Sequence, residues 1–144
     1  MLRWLRRGDL PAIVRIVRRE LIPISPHPQP GSRKLRKDMK ARLAQGSTLV
    51  ASEGPKICAF LHLIIQYDTL FVDLLAVDRS CQGKGYGSRL MSRVERHAKN
   101  LGCLRAMLYV DEGNEGGARF YRRLGYSVVA HHESMKCYEM YKWL

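Results

Sequence analysis

The sequence predicts a mixed α/β domain, a mostly antiparallel sheet that contains one parallel strand pair and is flanked by about four helices. Three observations predict it. Apolar residues recur at helical spacing in two segments before Gly46. Three alternating stretches follow, joined by short turns at Gly54-Pro55 and Tyr67-Asp68. A strand from Thr69 then enters a glycine-rich loop, a helix and a further strand, an order that demands a parallel pair. The 144 residues fit one domain over 1–144.

Met1 to Arg7 reads as a first strand, with Asp9 as N-cap and Pro11 in the first turn of a helix. Ile13, Val14, Ile16, Val17 and Leu21 form its apolar face. Four of the six prolines fall between Pro23 and Pro30 and predict an extended loop. From Ser32 to about Gln45 a second helix spaces Leu35, Met39 and Leu43 on one face and basic residues on the others. Strands are expected at Ser47–Ser52, Ile57–Gln66, Thr69–Val77, Leu104–Val110, Gly125–Ala130 and Cys137–Trp143, with helices after Gly87 and over Gly116–Leu124. His131-His132-Glu133 falls in the turn before the last strand, and that strand reads as an exposed edge that offers a homodimer contact.

The net charge is +12, and residues 1–45 hold twelve basic against three acidic residues. Such a field attracts polyanions, phosphate-bearing cofactors or an acidic acceptor. The longest apolar stretch, Ile57 to Ile65, is far short of the roughly 18 residues of a membrane helix. The N-terminal segment lacks a signal-peptide pattern, and Cys58, Cys81, Cys103 and Cys137 include no CxxC pair. A reduced cytoplasmic protein without a metal centre or a membrane span is expected.

The segment that carries chemistry is Leu74 to Ser88. Gly83, Gly85 and Gly87 allow a close backbone approach at the start of a helix, where free amide N–H groups and the positive end of the helix dipole suit a pyrophosphate. Lys84 and Arg89 add charge. A P-loop is excluded because Gly85 follows Lys84, and a dinucleotide fingerprint because Ser88 stands three residues beyond Gly85.

Gln82-Gly-Lys-Gly-Tyr-Gly87 resembles the Gln/Arg-x-x-Gly-x-Gly/Ala signature of the GCN5-related N-acetyltransferases, the GNAT superfamily. Asn114, followed by Phe120-Tyr121-Arg-Arg-Leu-Gly-Tyr126, resembles that family's second motif, in the correct order. The resemblance implies a GNAT-type sheet whose central parallel pair splays at a bulge. It implies acetyl transfer from acetyl-CoA (coenzyme A) to an amine in a ternary complex. Carried over, the backbones of Leu75, Ala76 and Val77 bond the pantetheine and polarise the thioester carbonyl. Gln82, Gly83, Lys84, Gly85, Tyr86, Gly87 and Ser88 form the pyrophosphate loop, Asn114 contacts the pantetheine arm, and Tyr121 sits near the sulfur.

The chemistry supports those roles. An oxyanion is stabilised by a fixed backbone N–H. A departing thiolate needs a proton, which makes Tyr121 the candidate general acid. The attacking amine must be neutral, which for a lysine-like group costs about 4.6 kcal/mol at pH 7. Here the chain departs from its relatives. Phe71 and Tyr109 stand where the histone-type and protein N-terminal enzymes carry a catalytic glutamate. Strand parity puts Asp73 beside Phe71, Leu75 and Val77, so Asp73 becomes the candidate general base, with His62 behind it. Arg79 replaces a common proline and adds a cation near the phosphates. Gly117 replaces a common alanine and leaves room for the cofactor. Two rival readings stay open: a polyanion-binding module for RNA or the ribosome, without a specific nucleic-acid signature, and a non-catalytic acyl-CoA-binding relative.

Overall fold

The structure is a computed structural model that describes residues 1–28 and 30–144; Gln29, in the proline loop, lies outside the described residues. The elements run β1 (Leu2–Trp4), α1 (Leu10–Ile16), α2 (Ser32–Leu43), β2 (Ser47–Glu53), β3 (Lys56–Gln66), β4 (Thr69–Val77), α3 (Tyr86–Asn100), β5 (Arg105–Asp111), α4 (Glu115–Arg123), β6 (Ser127–His132) and β7 (Cys137–Trp143). Seven strands form one sheet in the order β1-β2-β3-β4-β5-β7-β6. β4 and β5 are its parallel pair, and every other neighbouring pair is antiparallel.

Alternation along the strands builds two cores. Leu49, Leu61, Leu70 and Leu108 pack with Leu90, Met91 and Val94 of α3 on one face. Val50, Phe60 and Ala76 pack with Ile13, Ile16, Leu35 and Met39 of α1 and α2 on the other. The stripe expected on α2 is therefore buried, while Arg33, Lys34, Arg36, Lys37 and Lys40 form an exposed face.

Several expectations are corrected. The first strand spans only Leu2–Trp4, because the chain turns before Asp9, whose N–H bonds the Arg6 carbonyl at 3.1 Å, and Arg3 grips the Asp9 carboxylate through two hydrogen bonds of 2.8 and 3.2 Å. That ion pair, with the Arg6 N–H, occupies the Asp9 carboxylate, which makes no cap bond to α1. α1 runs on into a π turn over Val17–Leu21 and a 3-10 turn over Ile22–Ile24 that accommodates Pro23, so the proline loop begins later than expected. His131 and His132 lie in β6, where they bond Glu112 and Glu139, and not in a turn. β7 is internal, between β5 and β6, so it offers no free edge; the sheet ends on β1 and β6.

Candidate active site

The site forms where the sheet opens. The β4–β5 ladder runs from Thr69↔Arg105 to Val72↔Leu108 and stops. β4 continues to Val77 on β3, and β5 continues to Asp111 on β7. The divergence coincides with a bulge: His62 pairs with Leu74 and Leu63 with Val72, which leaves Asp73 as the extra residue. The bulge also reverses strand parity. Leu70 and Val72 face α3, yet so do Leu75 and Val77, while Leu74 and Ala76 face α1 and α2. Asp73 consequently does not share a face with Leu75 and Val77, a correction to the parity argument. Among the described residues, the backbone edge of Leu75, Ala76 and Val77 has no strand neighbour on the side of the opening.

At the end of β4 a chain of local bonds shapes the loop. The Asp78 carboxylate accepts from Ser80 N and Oγ at 3.0 and 2.7 Å, closing a 3-10 turn over Arg79–Cys81. Gln82 Nε2 donates to the Val77 carbonyl at 3.0 Å, so the motif glutamine ties the loop to the strand. Gly83 and Gly85 both take φ of 80°, a region disfavoured for residues bearing a Cβ. The first backbone bond of α3 runs from Arg89 N–H to the Gly85 carbonyl, 3.1 Å. Among the described residues, the N–H groups of Gly83, Lys84, Gly85, Tyr86, Gly87 and Ser88 have no hydrogen-bond partner. Six amides at the positive end of a helix fit a diphosphate.

The side chains of this loop have other tasks. Lys84 Nζ lies 3.1 Å from Glu53, so its charge is not held free for phosphate as expected. The ring of Tyr86 is buried beneath Arg89, whose guanidinium lies 4.5 Å from the ring centroid; only the backbone of Tyr86 faces outward with the cradle. Arg79 pairs with Glu20 at 3.6 Å. A Cβ on Gly87 would come within 3.2 Å of the Phe120 ring, which explains the need for glycine where α3 meets α4.

Asn114 caps α4: its Oδ1 accepts the Gly117 N–H at 3.0 Å. A Cβ on Gly117 would lie 2.5 Å from Asn114 Nδ2, so the glycine makes room for this cap, and it also borders the space beside the glycine loop. Tyr121, one side of its ring edge-on to Phe120 and the other to Tyr126, is half-buried and has no hydrogen bond among the described residues. Burial raises its phenol pKa well above the usual tyrosine value. Tyr121 and Asn114 line two adjoining spaces. One is a cleft of about 700 Å³ that runs along Leu75–Val77 and the glycine loop to Glu20. The other is a groove of about 470 Å³ between α2, the residues after α1, and the ends of β4 and β5.

The groove holds the second set of candidates. Asp73 receives two bonds of 2.8 Å from Arg42, and its side chain is 8% exposed. His62 is fully buried behind it, with Nδ1 2.9 Å from Thr48 Oγ1 and Nε2 3.8 Å from Asp73 Oδ2. Burial lowers the His62 pKa, against the pull of Asp73. Phe71 and Tyr109 meet edge-on with ring centroids 5.8 Å apart and form an aromatic wall. Asp38 and Asp111 also line the groove, with no ion-pair or hydrogen-bond partner among the described residues for either side chain. Sequence reasoning missed both. Asp111 was within reach, because parity on β5 puts it on the face of Tyr109.

Residues 10–126 match the sequence profile of the acetyltransferase (GNAT) family. Blasticidin-S acetyltransferase of Streptomyces morookaense is 35% identical over 105 residues, which cover 70% of this chain and 76% of that protein. A mycothiol acetyltransferase of Thermomonospora curvata is 31% identical over 110 residues, 72% of this chain but only 37% of that protein, so the chain spans well under half of that longer relative. In fold, the PaiA N-acetyltransferase of Thermoplasma acidophilum, crystallised with coenzyme A, superposes with a TM-score of 0.84 over 100% of this chain and 98% of its own, at 18% identity. A profile that spans most of the chain, a relative more than a third identical, and a splayed sheet with an amide cradle agree: this chain belongs to the GNAT family of acetyltransferases.

Proposed function

We propose that the protein transfers an acetyl group from acetyl-CoA to a primary amine of a small, positively charged acceptor, by direct attack with both substrates bound. The observation that carries this reading is the position of Tyr121, which lines both the cleft beside the amide cradle and the groove with the carboxylates. Acetyl-CoA supplies the activated acetyl group as a thioester. The amides of Gly83 to Ser88 hold its diphosphate, and the open edge of Leu75, Ala76 and Val77 takes the pantetheine arm and polarises the carbonyl. Asn114 presents Nδ2 to that arm, since its Oδ1 is engaged in capping. Tyr121 keeps its proton because its site is desolvated, and delivers it to the departing sulfur.

The groove selects the acceptor. Among the described residues that line it, the carboxylates of Asp38, Asp73 and Asp111 stand against the guanidinium of Arg42. That balance favours a cationic acceptor over the acidic one that net charge suggests, since the basic excess on α2 lies on its exposed face. Asp73, with both oxygens engaged by Arg42, serves as a fixed anion, and the unpaired Asp111 takes its place as the group that removes the ammonium proton. The relative named blasticidin-S acetyltransferase supports a small molecule over a protein as acceptor.

The test is release of coenzyme A thiol with a panel of amines at pH 8. Diamines and polyamines are expected to turn over well ahead of uncharged-tail monoamines and of acidic amines. Coenzyme A binding without thiol release from any amine would identify a non-catalytic relative. No binding by calorimetry would reject the reading altogether.

A further inference from the structure

The chain lacks a CxxC motif, but folding makes a cysteine pair that sequence spacing conceals. Cys58 on β3 and Cys81, the last residue of the 3-10 turn before the glycine loop, bring their Sγ atoms to 2.6 Å. Both are buried, and Cys81 also lines the cleft. Cys103 and Cys137 have no thiol neighbour among the described residues. Glu53 completes the cluster: its Oε1 accepts from Cys58 Sγ at 3.2 Å, while Lys84 of the cradle holds the same carboxylate.

We propose that Cys58 and Cys81 are a redox-active dithiol, which a low-molecular-weight disulfide oxidises to an intramolecular disulfide that fastens the entrance of the amide cradle to β3. The order of events follows from position, since Cys81 lines the cleft and Cys58 does not. Cys81, when the cleft wall opens to uncover it, attacks one sulfur of the small disulfide as the thiolate and expels one small thiolate. Cys58, as thiolate, then attacks the Cys81 sulfur, forms the Cys58–Cys81 bond and expels the second. The two protein thiols together lose two electrons and two protons, and the small disulfide gains them as two thiols. Burial first, then Cys81 and Glu53, push the Cys58 thiol up to about 12, so Cys58 is the weaker first nucleophile and acts second, on a sulfur held 2.6 Å away. A dithiol whose thiolate is poorly stabilised is also one whose oxidised form persists, the inverse of strongly oxidising pairs.

The bond would remove the S–H donors of Glu53 and fix the turn from which Gln82 and Gly83 spring. Its effect on the cradle rests on the function proposed above; its formation does not. The test uses the full chain, incubated with glutathione disulfide, alkylated and measured by intact mass and peptide mapping. The expected result is two alkylated thiols in place of four, a linked Cys58–Cys81 peptide, reversal by dithiothreitol, and at least a threefold change in coenzyme A affinity between the two forms. Cys58→Ala should abolish that change, and the mass measurement on the unaltered chain decides bond formation if this variant does not fold. Four alkylated thiols after oxidation, a glutathione adduct on Cys81 that never closes, or stoichiometric zinc held by Glu53, Cys58 and Cys81 against the oxidant would each overturn the pair. Closure with unchanged affinity overturns its link to the cradle. Loss of coenzyme A binding in both forms points instead to failure of the functional reading.

Discussion

The phenol of Tyr121 combines two properties that a proton donor to a leaving sulfur needs: it lines the cleft, and no protein group competes for its hydrogen bond among the described residues. Tyr121→Phe should lower kcat by about 10²–10⁴-fold with little change in the KM for acetyl-CoA, as read in initial-rate kinetics. Because burial holds that phenol protonated, kcat/KM for the amine should keep rising with pH through 9, without a falling limb from Tyr121. In the groove, Asp38→Asn should raise the KM of a diamine about 2–5-fold, the worth of one partly exposed ion pair, and leave a monoamine nearly unaffected; Asp111→Asn should lower kcat for both, because it removes the proposed base. His62 is held neutral by burial, so its folded pKa lies below the usual 6.5. Its contribution to stability is present above pH 6.5 and declines as pH falls below it, and a proton NMR titration of the ring should give a midpoint under that value.

At the scale of elements, a bulge and a turn build the site. Thr69–Val77 reads as one alternating strand, and nothing in its spacing announces an extra residue at Asp73, because the bulge exists only relative to β3. The glycine loop, by contrast, is local. Backbone turns and a helix start require Gly83 and Gly85 at positive φ whatever surrounds them, so the cradle was legible residue by residue. Gly85→Val should cost about 1–2 kcal/mol in chemical denaturation, because the left-handed conformation strains a side chain, and should weaken coenzyme A binding measured by calorimetry. Asn114→Ala removes the α4 cap and should cost about 1 kcal/mol by the same denaturation measurement.

Across the whole molecule, one sheet serves two cores, and its opening between β4 and β5 joins the cleft to the groove. Glu53, tied by Cys58 and then Lys84 and Tyr86, has a folded pKa lowered from 4.5 to about 2. Such a carboxylate stabilises the fold above pH 4.5 and loses that contribution as pH falls toward 2, so the thermal midpoint should drop across that window and drop less in Glu53→Gln. The order of strands and helices and the amide cradle were determined by the sequence, because periodicity, glycine torsions and helix starts are decided within a few neighbouring residues; Tyr121 was singled out by its resemblance to the family's second motif. The internal place of β7, the Arg42–Asp73 and Lys84–Glu53 pairs, the acidic groove and the Cys58–Cys81 contact were decided only by tertiary structure. Each joins residues far apart in the chain, whose proximity depends on how strands pair and on where the bulge reverses the faces of β4.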